Sequence, residues 1–348
     1  MNILLTSNRF FPEIGGIETI SEILGCHFKN AGHDVLVITQ TQGDHSCNQQ
    51  FPFRILRRPS ARQLLGSFQW ADVVLQNNLE VRQLWPLLVS RKPLVIGLQT
   101  WIRTSAGERN GLQWLKLNAL RAADSLIACS DAVRQDCSSR AAVIGNPYNS
   151  ALFRHVDGVE RRQKIVFLGR LVSDKGADML IKAFAALKSS HWRLSVIGDG
   201  PERAALQRLA AELGIAERVD FAGALNGMAL VRALNEHEVM VVPSRWREPF
   251  GVVALEGLAC GCIVLASDGG GLPDAVGSAG VLFRRGDQVD LESQLSRLLL
   301  DEPWRHQLRA SATDHLQAFH QDVVCNRYLT VLEQAAADAG HCLTKSSG

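Results

Sequence analysis

Short runs of aliphatic and β-branched residues recur along the chain, each followed by a stretch whose apolar positions fall three and four apart. In the first half the runs are Ile3 to Thr6, Val35 to Thr39, Val73 to Gln76, Leu94 to Leu98, Leu126 to Cys129 and Val143 to Ile144. In the second they are Ile165 to Leu168, Leu194 to Ile197, Val219 to Phe221, Val239 to Val242, Ile263 to Ala266 and Val281 to Phe283. Continuous apolar runs of this length suit strands buried on both faces, and the spacing between them suits helices laid on a sheet. Ile17, Ile20, Leu24 and Phe28 form one such helical stripe; Ala177, Leu180, Ile181, Phe184 and Leu187 form another.

The alternation predicts an α/β chain with parallel sheets, and its double occurrence predicts two Rossmann-like domains. A length of 348 residues agrees, because it exceeds what one hydrophobic core covers. The segment Asn146 to Gln163 carries Pro147, Asp157 and Gly158 without periodicity and reads as a linker. Domains are therefore expected at 1–155 and 156–318, followed by a helical tail at 319–348. Across that last boundary, His315 to Ala337 places Phe319, Val323, Val324, Tyr328 and Leu332 at helical spacing. Open parallel sheets bind ligands at the carboxyl ends of their strands, so chemistry is expected on strand-to-helix loops, in a cleft if the two domains face each other.

Composition narrows the class. Hydrophobic residues at 46% and charged residues at 21% describe an ordinary globular protein. Met1 to Ser7 lacks a basic stretch before it and is ended by Asn8, Arg9 and Pro12, so it reads as a first strand and not a signal peptide. No window reaches the run of about 18 apolar residues that spans a bilayer. The eight cysteines include no CxxC pair, and Cys260 and Cys262 sit in an apolar context, which favours no metal and a reducing, cytoplasmic setting. Residues 1–155 hold 16 Lys and Arg against 11 Asp and Glu, whereas residues 156–348 hold 21 against 24. Arg54, Arg57, Arg58 and Arg62 lie among Phe51, Phe53, Leu64 and Leu65, a mix that suits either anionic lipid headgroups on the inner face of the membrane or a plain solvated face. Nothing points to nucleic acid.

Four segments could carry chemistry. Gly15 and Gly16 follow the first strand and precede a helix, where they either let a ligand approach the backbone or simply make a turn. Gly169, Arg170 and Lys175 follow the strand Ile165 to Leu168; two cations on a strand-end loop can neutralise a diphosphate or can merely be surface charge. Gly198, Asp199, Gly200 and Pro201 follow another strand, where they either make a tight turn or support a ligand beside it. In the run Pro243 to Gly257, Glu248 and Glu256 straddle Phe250 and Gly251, near which a helix starts, so its amides could hold phosphate oxygens. Glu248 would then project towards a sugar and Glu256 accept hydrogen bonds from ribose hydroxyls.

With the Gly15-Gly16 loop, GRLVSDKG at 169 to 176, GDGPE at 198 to 202 and PSRWREPFGVVALEGLACG at 243 to 261, the chain resembles family 4 of the retaining glycosyltransferases. That resemblance implies the GT-B fold, two facing Rossmann-like domains with a cleft between them. It implies a metal-independent hexosyltransferase that moves a hexose from a UDP- or GDP-sugar to a glycan or lipid-linked acceptor, in cell-surface polysaccharide or glycolipid synthesis. No cofactor is needed, since the nucleotide sugar is a co-substrate. By position, it implies that Arg170 and Lys175 hold the donor diphosphate, Glu256 the ribose and Glu248 the hexose. Amides at Phe250, Gly251 and Val252 assist, Ala224 and Leu225 contact the base, and Gly15, Gly16 and Gly198 border the donor. The C-terminal tail is expected to cross back to the N domain.

One position departs from the family. A histidine is usual after the strand matching Leu94 to Leu98, and this chain has Gln99, which can hydrogen-bond a sugar hydroxyl but cannot shuttle a proton. The departing diphosphate oxygen can take the acceptor's proton instead, so turnover is expected to survive. The rival expectation is a non-catalytic sugar-nucleotide-binding subunit. Acceptor recognition is expected in the N-domain loops Gln42 to Arg62 and Trp101 to Asn110.

Overall fold

The structure is a computed structural model that describes residues 1–13, 15–102, 111–187 and 191–345; of the second acceptor loop, 103–110 lie outside the described residues. The chain forms two compact units. One comprises Met1–Pro147 together with the segment from Gln321 onward, and the other Tyr148–His320.

The N-terminal unit contains β1 (Asn2–Thr6), β2 (Asp34–Thr39), β3 (Arg54–Arg57), β4 (Val73–Asn77), β5 (Leu94–Leu98), β6 (Ser125–Ala128) and β7 (Ala142–Val143). They form one sheet in the order β3-β2-β1-β4-β5-β6-β7 with every pair parallel. Ile3, Leu5, Val37, Leu75, Val95 and Ile127 turn to one face, where Ile20, Leu24 and Phe28 of the helix Gly16–Asn30 cover them. Val324, Tyr328 and Leu332 of the helix Gln321–Lys345 complete the same core, each fully buried. Burying a side chain of that size stabilises the unit by about 1.5–3 kcal/mol.

The second unit contains β8 (Arg162–Leu168), β9 (Arg193–Ile197), β10 (Val219–Gly223), β11 (His237–Val242), β12 (Ile263–Ser267) and β13 (Val281–Phe283). Their order is β10-β9-β8-β11-β12-β13, again all parallel. Strand order reverses between β8 and β11, the position at which doubly wound sheets bind ligands. Phe167, Val196, Val241 and Leu265 meet Leu180, Ile181 and Phe184 of the helix Ala177–Ala186 in its core.

Several sequence expectations change. Chain division falls at Pro147 and Tyr148 and again at His320 and Gln321, not at 155 and 318. The expected linker is packed: Tyr148 and Phe153 are each 7% exposed, and Asn235 ties down Arg154 and Val156 through their backbones. The tail is interrupted. One helix ends at Gln317 and the next begins at Gln321, leaving Phe319 between them with its ring 5.6 Å from that of Phe250. The aromatic half of the suggested lipid-facing cluster is turned inward: Phe53 and Leu64 are buried, and Phe51 stacks on Phe53 at 5.3 Å. Arg54, Arg58 and Arg62 are exposed, whereas Arg57 is half-buried and donates to Asn48 Oδ1 and the Thr41 carbonyl. No helix among the described residues is long and apolar enough to cross a membrane, and the described cysteines form no disulfide.

Candidate functional site

Because β8 to β12 run parallel, every loop singled out in the second half of the sequence emerges from the same edge of one sheet. Arg170 and Lys175 follow β8, Gly198 follows β9, Ala224 and Leu225 follow β10, and Ser244 to Glu248 follow β11. Ala224 is exposed and Leu225 half-buried at the end of the edge strand β10.

The loops are fastened to one another by backbone. Gly169 N–H donates to the Ile197 carbonyl at 3.1 Å and Leu171 N–H to that of Asp199 at 2.9 Å, lacing the β8 loop to the β9 loop. Gly198 sits at φ 137°, and a Cβ there would lie 1.9 Å from the Gly169 oxygen. A glycine is required by this close approach, whatever else the position does. Gly176, at φ 71°, allows the same loop to pass under Pro243, whose oxygen a Cβ would meet at 2.1 Å. Amides of Arg245 and Trp246 then donate to the Asp174 carbonyl at 2.8 and 3.1 Å. Arg245 is spent on this scaffold, forming two bonds to the Asp178 carboxylate at 2.6 and 2.8 Å.

The outcome of that fastening is a contact between the two motif loops. Lys175 Nζ donates to Glu248 Oε1 at 2.5 Å. The Ser244 hydroxyl donates to the same oxygen at 2.7 Å, and Ser244 is in turn held by Ser267, whose hydroxyl donates to its carbonyl at 2.8 Å. Beyond Glu248, its own carbonyl accepts from Gly271 N–H at 2.7 Å, anchoring the loop against the β12 turn. Among the described residues Glu248 Oε2 has no partner. Arg170 is exposed, and its guanidinium likewise has no partner among the described residues.

Gly251, at φ 112°, precedes the helix Val252–Ala259, as the sequence suggested. Phe250 is buried, and Glu256 lies on the second turn of the helix, half-buried by surface area yet closely surrounded by protein. Burial pushes its carboxyl up to about 7. No hydrogen bond satisfies that carboxyl among the described residues. A carboxylate, an unpaired guanidinium and helix-start amides at one sheet edge are a donor and acceptor set suited to a polyhydroxylated, phosphorylated ligand. Among the described residues no group of three or more His, Cys, Asp or Glu is placed to hold a metal ion.

In the N-terminal unit, Gly15 precedes the helix Gly16–Asn30 in extended backbone that any residue adopts, and a Cβ on Gly16 would have nothing within 4 Å. Gln99, at the end of β5, is 5% exposed and bonded to Asn77 and Tyr328. Sequence reasoning missed Asn77 and Ser244 and read Tyr328 only as core. A signal for Asn77 existed, since Gln76 and Asn77 are polar residues closing a strand that is otherwise aliphatic.

The sequence profile of the glycosyl transferases group 1 family matches residues 151–315. The matched segment holds every motif of the second half, including Lys175, Ser244 and Glu248. Over 232 residues the chain is 33% identical to D-inositol 3-phosphate glycosyltransferase of Stackebrandtia nassauensis, covering 56% of this chain and 52% of that protein. The chain thus spans about half the length of the curated relatives it matches. Anabaena HepE, solved in complex with UDP and glucose, superposes with a TM-score of 0.80 at 20% identity, over 96% of this chain and all of that one. Sucrose-phosphate synthase of Thermosynechococcus elongatus does so with 0.75 at 22% identity, over 97% and 99%. These likenesses establish the GT-B fold for a chain whose match to group 1 lies in the second of two Rossmann-like units.

Proposed function

We propose that the protein is a retaining, metal-independent hexosyltransferase that uses a UDP- or GDP-sugar and a glycan or lipid-linked acceptor in cell-surface polysaccharide or glycolipid synthesis. The observation that carries the reading is the shared Glu248 oxygen: Lys175 and Ser244 both bind it, at the switch point of a group 1 domain. On this reading Arg170 and Lys175 neutralise the diphosphate, helped by the amides of Phe250 to Val252. Glu256 accepts from the ribose, and Ala224 and Leu225 border the base. Glu248, held in one rotamer by Ser244, turns its free oxygen to the hexose.

As the bond from sugar to diphosphate breaks, negative charge gathers on the leaving oxygens, where fixed cations and amides lower its cost. That oxygen takes the proton of the attacking acceptor hydroxyl on the same face of the sugar, so the product keeps its anomeric configuration and no protein nucleophile is required.

The test is nucleotide release from UDP- and GDP-hexoses, with D-inositol 3-phosphate, lipid and glycan acceptors, in the presence and absence of EDTA. Turnover by wild type that is lost in Glu248→Ala and indifferent to EDTA supports the proposal. Tight binding with no turnover for any pair would instead mark a sugar-nucleotide-binding subunit, and turnover abolished by EDTA would remove the metal-independent mechanism.

A further inference from the structure

A hydrogen-bonded run crosses the interior of the N-terminal unit at the carboxyl ends of β1, β4 and β5. Asn77 Nδ2 donates to Ser21 Oγ at 2.7 Å and to the Ile17 carbonyl at 3.3 Å. Gln99 Nε2 donates to Asn77 Oδ1 at 3.0 Å and to the Tyr328 hydroxyl oxygen at 3.2 Å. Asn77 and Tyr328 are fully buried.

The run has a polarity, and a backbone group sets it. A carbonyl only accepts, so Ile17 obliges Asn77 to present its nitrogen on that side. Asn77 Oδ1 is then directed at Gln99, which must offer its NH2 group in reply. Both Nε2 hydrogens are consumed, one by Asn77 and one by Tyr328. What remains is Oε1, which is closed to bulk water and has no partner among the described residues.

A desolvated amide oxygen without a donor is unfavourable, and native folds seldom leave one without a use. Its neighbour repeats the pattern. Asn78, whose N–H donates to the Gly97 carbonyl at 2.8 Å, also has a buried Oδ1 without a partner, and its backbone lies at φ 71°. Left-handed backbone in a residue other than glycine gathers at functional positions. Two acceptors at the ends of adjacent strands ask for hydroxyl donors.

We propose that Gln99 Oε1 is an obligate acceptor for a hydroxyl of a bound sugar or polyol, and that Asn77 and Tyr328 are positioning residues that set this polarity. The inference rests on the proposed function in taking the ligand to be polyhydroxylated. A histidine at this place could donate or accept according to its tautomer; the locked glutamine can only accept. Ligands that offer a hydroxyl here are favoured over analogues that lack it, because a missing donor leaves Oε1 buried and unpaired.

Two measurements test it, the first independent of turnover. In protein labelled with 15N at glutamine side chains, the Gln99 amide is assigned by its loss in Gln99→Leu. Two inequivalent, exchange-protected protons are expected in wild type, with one losing protection in Tyr328→Phe; rapid exchange of both in wild type would overturn the lock. The second measures binding of UDP-glucose and its monodeoxy analogues, and of D-inositol 3-phosphate and its monodeoxy analogues, to wild type, Gln99→Leu and Tyr328→Phe. One hydroxyl is expected to matter about 10-fold or more in wild type, not at all in Gln99→Leu, and to an intermediate degree in Tyr328→Phe. The series in which it occurs tells whether donor sugar or acceptor supplies it. If no hydroxyl in either series couples to Gln99, the proposal falls, including in a protein that turns over normally.

Discussion

Lys175 Nζ lies 2.5 Å from Glu248 Oε1 across the point where the strand order of the second sheet reverses. Neither partner is widely open to water, their side chains being 25% and 16% exposed. A diphosphate that recruits Lys175 must therefore draw it from this carboxylate, while Ser244 keeps hold of the released oxygen. Glu248→Gln removes the competing charge and leaves an oxygen for Ser244. UDP is expected to bind as tightly as to wild type or more tightly, while turnover falls about 100-fold or more. Calorimetry and a nucleotide-release assay on one preparation check both halves.

Arg170 has the opposite character. Since its guanidinium makes no hydrogen bond or ion pair among the described residues and is exposed, Arg170→Ala is expected to change stability by no more than about 0.5 kcal/mol. UDP affinity should nonetheless fall about 10- to 100-fold, the loss expected from removing charge-assisted bonds worth about 1.5–3 kcal/mol. Unaltered affinity would take Arg170 out of the diphosphate site.

Glu256 is expected to make stability and, on the proposed function, binding depend on pH. Its carboxyl rises from 4.5 unfolded to about 7 folded, because burial penalises the charge. The folded state therefore holds the proton more tightly, and stability attributable to this group is full below about pH 4.5 and is lost as pH rises to about 7. In Glu256→Gln that decline should vanish, with a higher melting temperature at pH 8. Ribose hydroxyls bind the ionised form best, so UDP-glucose affinity should rise through about pH 7 in wild type and be flat in the variant. The sugar nucleotide is the right probe because its diphosphate diester does not titrate in that range.

Two glycines separate packing from ligand approach. Gly198→Ala forces a Cβ against the Gly169 oxygen at a backbone angle L residues avoid, and should cost about 2 kcal/mol or more. At Gly16 a Cβ meets nothing, so Gly16→Ala should leave the melting temperature unchanged or slightly higher. Lost activity in the Gly16 variant would then report a ligand passing close to that backbone; full activity would make the glycine pair a turn.

Elements buried on both faces were readable in advance because nothing but apolar residues fits them, as in Val239 to Val242 and Ile263 to Ala266. β3 was missed because it is an edge strand, with Arg54 and Arg57 leaving only Ile55 and Leu56 as an apolar signal. Pro147 and Gly158 suggested a linker, but Tyr148 and Phe153 between and around the turns pack inward, which spacing alone does not reveal. Among the site residues, those in loops with paired charge or glycine stood out. Asn77 and Tyr328 did not, because each draws its importance from a partner distant in sequence, 22 and 229 positions from Gln99; Ser244, four residues before Glu248, did not because an uncharged serine in a loop carries no signal of its own.

The helix Gln321–Lys345 supplies core to a unit that otherwise ends at Pro147. During synthesis the β-strands of that unit emerge first, yet Val324, Tyr328 and Leu332 leave the ribosome only after all of Tyr148–His320. The unit made first is thus the last that can be finished, and until then the face of its sheet that these residues cover is without them. Nascent chains halted near residue 320 should present a folded second unit beside an incomplete first one, the part most in need of a chaperone.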